Sequence, residues 1–261
     1  LHNSKSSRNF WVTVEPKNAS AANPKEVWSL TGVSARQHSE KSGPSGEKVT
    51  LEAGMLWHKV TRENHSLGLR SEIINFAPAA NDKVELMLVS LTNTGKSRIK
   101  ITPTAAIPIF GRSADNLRDH YHVTSLLHRV ISHPSGVVVK PMMSFDERGH
   151  KVNSISYAVL GAEDNGDLPV GSFPSMADFI GEGGNLENPE AVLKNLEPSQ
   201  KNQDAFNGKS TIGAIRFNSR TLGASETARF VLMIGIAEKE SELNEWIKKF
   251  GSSEKAQAAL K

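Results

Sequence analysis

The chain has 261 residues, 38% hydrophobic and 6% aromatic, with 31 Lys and Arg against 28 Asp and Glu. That length can bury a large core, and no run approaches the ~18 apolar residues a membrane span requires. Zero cysteines exclude disulfides, a thiol nucleophile and thiolate metal sites, and fit a reducing cytosol. The net charge of +3 comes with alternating signs, as in Lys239-Glu240-Ser241-Glu242, rather than the basic runs of nucleic-acid binders. Neither a membrane nor a nucleic acid is expected as a partner. The start, Leu1-His2-Asn3-Ser4, has no Met and no apolar or Arg-rich leader; an excised domain or processed product is expected.

In chain order, short β-branched or aromatic runs alternate with turn residues, the texture of antiparallel β structure. Phe10 to Val14 reads as a strand ended by Pro16. Within Lys25 to Val33, Trp28 and Leu30 share one strand face. After a polar loop from Ser39 to Glu47 come Val49 to Glu52, Met55 to Val60, Leu67 to Phe76 and the apolar run Val84 to Leu91. Asn93-Thr94-Gly95-Lys96 is predicted to turn that run back into Ile99 to Thr102 as a hairpin. Further turns are predicted at Pro134-Ser135-Gly136, Asn165-Gly166 and Asn207-Gly208, the last two as hairpin signals. Val137 to Val139, Ile155 to Val159, Ile212 to Phe217 and Phe230 to Gly235 are the later strands. Many strands without alternating helices predict a two-sheet sandwich rather than βαβ units.

Val123, Leu126, Leu127, Val130 and Ile131 fit a helical face, yet their neighbours are strands, so the local pattern supports both forms equally. Helices are clear only later. Asn188 is predicted as N-cap and Pro189 as first residue of a short helix to about Asn195. Ser241 is predicted to cap a second helix, with Leu243, Trp246, Ile247 and Phe250 in one stripe and Gly251 as its stop. Ser253 opens a third amphipathic stretch. These stripes need a surface, either on this domain or on a further one.

The polar segment 112–122 stands between two apolar runs. Its Arg112, Asp115, Arg118, Asp119, His120 and His122 are the candidate carbohydrate-binding residues, because forked donors, carboxylates and imidazoles suit hydroxyl-rich ligands. The alternative is a solvated loop held by its own ion pairs. His120 and His122 share a face if extended, a spacing that can ligate a metal, but no third ligand stands at diagnostic spacing and no metal is expected. Carboxylates such as Asp146, Glu147, Asp178, Glu182 and Glu187 show no spacing that selects an acid–base pair; no catalytic residue is assigned. The Gly run Ile180 to Asn185 lacks the Lys-Ser/Thr of a phosphate loop.

Asp178-Phe179-Ile180-Gly181-Glu182-Gly183-Gly184-Asn185-Leu186-Glu187-Asn188-Pro189-Glu190-Ala191 resembles the segment D-F-L-G-x-G-x-x-x-x-N-P-x-A of the cellobiose phosphorylase family. That family (glycoside hydrolase family 94) includes cellodextrin, chitobiose and β-1,2-glucan phosphorylases and the cyclic glucan synthases. The order of Trp28, Leu67-Gly68-Leu69, Asn75-Phe76-Ala77-Pro78, Val89-Ser90-Leu91-Thr92-Asn93 and Leu222-Gly223-Ala224-Ser225-Glu226-Thr227 is similar too, so the resemblance covers essentially the whole chain.

The resemblance implies a mainly β, galactose mutarotase-like antiparallel supersandwich over residues 1–237. A helical linker over 238–261 would then lead toward a catalytic (α/α)6 barrel absent from the sequence. It favours strand for Val123 to Ile131. It implies inverting phosphorolysis of a β-glucoside, one acid protonating the leaving oxygen while inorganic phosphate attacks, with both acid and phosphate site in the barrel. The implied partners are a β-linked oligosaccharide, the domain's own barrel and a second subunit, in the cytoplasm; no cofactor is expected beyond phosphate as co-substrate. Arg118 to His122 resembles the longer-glucan members more than the cellobiose phosphorylases. The rival readings are a freestanding mutarotase-like epimerase, using His120 or His122, and a carbohydrate-binding module.

Overall fold

The computed structural model describes residues 8–16, 25–40, 47–79, 81–111, 125–146 and 149–260. The architecture is mainly β, two large antiparallel sheets with few helices, and the supersandwich expectation holds. The strands are β1 (Asn9–Pro16), β2 (Glu26–Ser29), β3 (Glu47–Gly54), β4 (Trp57–Asn64), β5 (Leu69–Phe76), β6 (Val84–Asn93), β7 (Ile99–Ile109) and β8 (His128–His133). They continue as β9 (Gly136–Pro141), β10 (Met143–Asp146), β11 (Gly149–Val152), β12 (Ser156–Glu163), β13 (Gly171–Ser175), β14 (Thr211–Arg216), β15 (Arg220–Leu222) and β16 (Thr227–Ala237). The larger sheet runs β3-β4-β5-β6-β16-β12-β9-β8; the smaller runs β13-β14-β7-β1-β2, with β15 also on β7.

Both sheets bury apolar side chains on the interior face, where Phe10, Phe217 and Phe230 meet with ring centroids 4.9–5.9 Å apart. The central strands of the larger sheet are apolar on both faces, as strands covered on both sides must be. In β6, Met87, Val89 and Leu91 enter the interior core. Leu86 and Leu88 face the opposite way, into a second core with Leu243, Trp246, Phe250 and Ala256. Those four belong to α4 (Glu240–Phe250) and α5 (Ser253–Leu260). The C-terminal stripes therefore pack on this domain. A third core on the outer face of the smaller sheet holds Trp11, Phe173, Phe179, Ala191 and Val192, beneath α2 (Met176–Ile180) and α3 (Glu190–Leu193); α1 (Ala35–Glu40) lies beside β2.

Several local expectations are corrected. Val84 to Leu91 and Ile99 to Thr102 are not a hairpin: β6 belongs to the larger sheet and β7 to the smaller. The turn between them is a corner of the sandwich: β6 is paired on both edges, by β5 and β16, and β7 by β1 and β14, so neither has an edge left for the other. Asn165-Gly166 also crosses between sheets, and Asn207-Gly208 ends a 3-10 turn (Gln203–Phe206) rather than closing a hairpin. Pro134-Ser135-Gly136 does lie in a hairpin, β8–β9. The third helix starts after an extended Pro189, which makes no side-chain cap. The fourth starts after Lys239, whose N–H donates to Glu242 Oε1 at 3.2 Å. From His128 the ambiguous stretch is strand; Ser125 and Leu126 form a short helical turn.

Candidate functional site

The six candidate residues Arg112, Asp115, Arg118, Asp119, His120 and His122 lie outside the described residues, but both anchors of their segment are clear. On the entry side Gly111 is buried. A Cβ there would stand 2.9 Å from His128 Nε2 and 3.3 Å from Pro141 and Val139, so only glycine lets the chain leave β7 so close to β8 and β9. His128 is 1% exposed; its Nε2 lies 3.3 Å from Gly111 O and its Nδ1 3.3 Å from Thr211 Oγ1. A carbonyl can only accept, so Nε2 donates to Gly111 O, while the Thr211 hydroxyl beside Nδ1 donates to Lys209 O at 3.1 Å. Burial holds the imidazole below its ordinary pKa. On the exit side Met142 N–H donates to Leu127 O at 2.9 Å and Gly208 N–H to His128 O at 3.0 Å. Next to Gly208 on the exit side lies a cleft of about 390 Å³ lined by Ser125, Leu126, Ser175, Ala177, Lys209 and Ser210. The described flanks of the polar segment, Gly111 on one side and Leu127 and His128 on the other, are thus packed and hydrogen-bonded into the sandwich.

The Gly-rich motif borders the same end of the sandwich but is architectural. Ser175 Oγ accepts from Asp178 N–H at 3.2 Å, capping α2. Gly181 has φ +80°, and a Cβ there would collide with Glu190, while one at Gly184 would lie 1.9 Å from Ile180 O. The tight loop presses Phe179 and Ala191, both 0% exposed, onto the smaller sheet. Arg216 locks it from below: Nε donates to Thr104 Oγ1 at 2.7 Å, Nη1 to Asn195 Oδ1 at 2.8 Å and Nη2 to Ala191 O at 3.4 Å. Asp178 pairs with Lys201 at 2.8 Å and Glu187 stands 3.6 Å from His38; Glu182 is exposed. The motif's carboxylates serve surface pairs rather than converging. Among the described residues no three His, Asp or Glu side chains are grouped to hold a metal ion.

The remaining motifs meet at one corner. Gly68 O accepts from Thr94 N–H at 2.8 Å and Gly95 N–H at 3.2 Å. Asn93 Nδ2 donates to Ser97 O and Leu222 O, at 2.8 and 3.1 Å. Asn93 O accepts from Ser225 N–H at 2.8 Å, and Glu226 Oε2 from Gly223 N–H at 2.7 Å. Leu-Gly-Leu, the Thr-Asn turn and the Gly-Ala-Ser-Glu turn are one hydrogen-bonded knot joining the two sheets.

A second concavity was not singled out from the sequence. The larger sheet overhangs the smaller at β3–β5, leaving a groove of about 620 Å³ lined in part by Arg8, His58, Val60, Asn75 and Glu85. Arg8 forms a bidentate pair with Glu85. His58 Nε2 lies 3.0 Å from Asn75 Nδ2, and Asn75 Oδ1 is buried without a partner. The signal for it was parity: His58 and Asn75 occupy positions in β4 and β5 that should point inward, where Val60 and Ile73 also point. At the far end of the overhang Glu47 ties the sheets together, accepting from Trp28 Nε1 at 2.8 Å, Gln37 Nε2 at 3.0 Å and Arg62 Nη1 at 2.7 Å.

The two-sheet antiparallel supersandwich defines the class: a mainly β domain. The particular family follows from the sequence. A profile described as "Glycosyl hydrolase 94, supersandwich domain" matches residues 22–253, and the chain belongs to that family. No curated protein matches it. Among solved structures it is similar in fold to a polysaccharide lyase (10% identity, TM-score 0.43, covering 92% of this chain and 27% of that one). A bacterial glucoamylase complexed with acarbose gives 10% identity and a TM-score of 0.41, with coverage of 96% and 30%. Heparinase III gives 14%, 0.34, and coverage of 75% and 22%. The chain spans less than a third of the length of each of these structures.

Proposed function

We propose that the chain is the non-catalytic supersandwich domain of an inverting, cytoplasmic β-glucan or β-glucoside phosphorylase. In this reading it shapes the substrate cleft and contributes to dimerisation, while an acid and inorganic phosphate act in a following barrel reached through residues 238–261. The observation that carries the proposal is the family match across 22–253, together with the structural employment of the motif carboxylates. Domains that position substrate contribute to catalysis by orienting it, and need no acid or nucleophile of their own. Segment 112–122, which follows Gly111 in the chain, is the part proposed to reach the sugar.

Two measurements test this. The 261-residue chain, incubated with β-linked oligoglucans and phosphate, should release no sugar phosphate; measurable turnover overturns the non-catalytic reading. In the parent enzyme, Arg118→Ala or His120→Ala should raise KM for the oligosaccharide about tenfold, the scale of a lost hydrogen bond to a charged group. Unchanged KM in both variants removes the segment from the cleft.

A further inference from the structure

The two ends of the larger sheet are finished differently. At one end, β8 has its outer edge occupied by side chains and backbone from the neighbouring 3-10 turn. Val130 N–H donates to Asn207 Oδ1 at 2.9 Å, Ser132 N–H to Gln203 Oε1 at 3.4 Å, and His128 O accepts from Gly208 N–H at 3.0 Å. At the other end, β3 pairs with β4 in unbroken register from Glu47 to Gly54, and among the described residues no other strand joins its outer side. Seven of its eight residues are exposed. It has no proline and no bulge, the usual devices that blunt an edge. Its apolar residues are exposed as well: Val49 by 48% and Leu51 by 68%, with Leu56 at the hairpin tip by 69%.

The sequence of this strand is complementary to itself. In Lys48-Val49-Thr50-Leu51-Glu52, an antiparallel copy centred on Thr50 sets Lys48 opposite Glu52 twice and Val49 opposite Leu51 twice. Opposite residues point to the same face, so the ion pairs form on the outer face and the apolar pairs on the groove side, beside Val60. Moving the centre to Val49 or Leu51 sets Lys48 against Thr50 or Gly54 and loses the ion pairs. The charges that would repel a random strand therefore select one register.

We propose that β3 pairs edge to edge with β3 of a second copy of this chain, about a twofold axis at Thr50, so that the larger sheet continues across the dimer. An isologous contact of this kind closes on itself and does not propagate into fibres. It names the surface for the self-association included in the proposed function, and rests on that reading.

The test uses the 261-residue chain in analytical ultracentrifugation over a concentration series. The unmodified chain should dimerise. Lys48→Glu puts like charges opposite each other twice and should raise the dimer Kd about tenfold; Lys48→Glu with Glu52→Lys should restore it. Because the chain lacks cysteine, Thr50→Cys introduces a lone thiol that faces its own copy across the axis. That variant should cross-link to a covalent dimer under mild oxidant, while a Gln257→Cys control on the exposed face of α5 should not. A dimer insensitive to Lys48→Glu and not trapped by Thr50→Cys overturns the β3 contact and leaves dimerisation to another surface. A chain that is monomeric at every concentration and untrapped overturns the β3 contact, while the phosphorolysis assay above separately judges the enzyme reading.

Discussion

The outer face of the smaller sheet and the overhanging β3–β4 hairpin handle apolar side chains in opposite ways. Under the Gly-rich loop, Phe179 and Ala191 are completely buried and Arg216 is satisfied on three sides. On the hairpin, Val49, Leu51 and Leu56 stand largely in solvent. The first region carries the most recognisable motif of the chain, and the second carries none. A motif dense in glycine around one buried phenylalanine marks where the backbone is most constrained, and here that constraint serves packing. The hairpin instead tolerates its exposed residues because they contribute little to the fold of the single chain, which is what an interaction surface requires.

Mutations should separate the two regions by the size of their effect on stability. Phe179→Ala, emptying a fully buried site, should destabilise by about 4 kcal/mol, read from urea unfolding midpoints; a loss under about 1 kcal/mol would mean the loop is not part of the cooperative fold. Glu47→Gln should cost about 2 kcal/mol, because it removes the charge that Arg62, Gln37 and Trp28 share where hairpin and sandwich join. An effect as large as that of Phe179→Ala would make the overhang as integral as the clamp.

Smaller is the pH effect at the loop base. Burial lowers the His128 and His133 pKa values below the ordinary 6.5, so the unfolded chain binds more protons below that value. Stability should be full above pH 6.5 and fall as pH drops below it; His128→Gln should flatten that dependence, and a slope left unchanged would remove His128 from it. The smallest effect belongs to the hairpin: Leu51→Ser should leave the unfolding free energy of the monomer within about 0.5 kcal/mol. A larger loss would show that the exposed face is part of the core after all.

Strand positions were largely legible, because central strands such as β6 and β16 are long β-branched and apolar runs whatever they pair with. The candidate site was legible only as a polar interruption between apolar runs, at Arg112 to His122. Its anchor was not: nothing local distinguishes an imidazole that will meet Gly111 O and Thr211. The groove residues His58 and Asn75 were hidden in ordinary strand alternation, since a polar inward position is informative only when the covering sheet is known to stop short.

The amino-acid sequence by itself determined the β character, the C-terminal amphipathic stripes and the family, because propensity, periodicity and motif spacing are local properties. Only the tertiary structure decided which sheet each strand enters. The turn at Asn93 has the residues of a hairpin, yet it separates β6 from β7, because long-range partners, β5 and β16 for one and β1 and β14 for the other, already occupy both edges of each run. The same long-range choice leaves β3 at the end of its sheet, with no further strand beside it among the described residues.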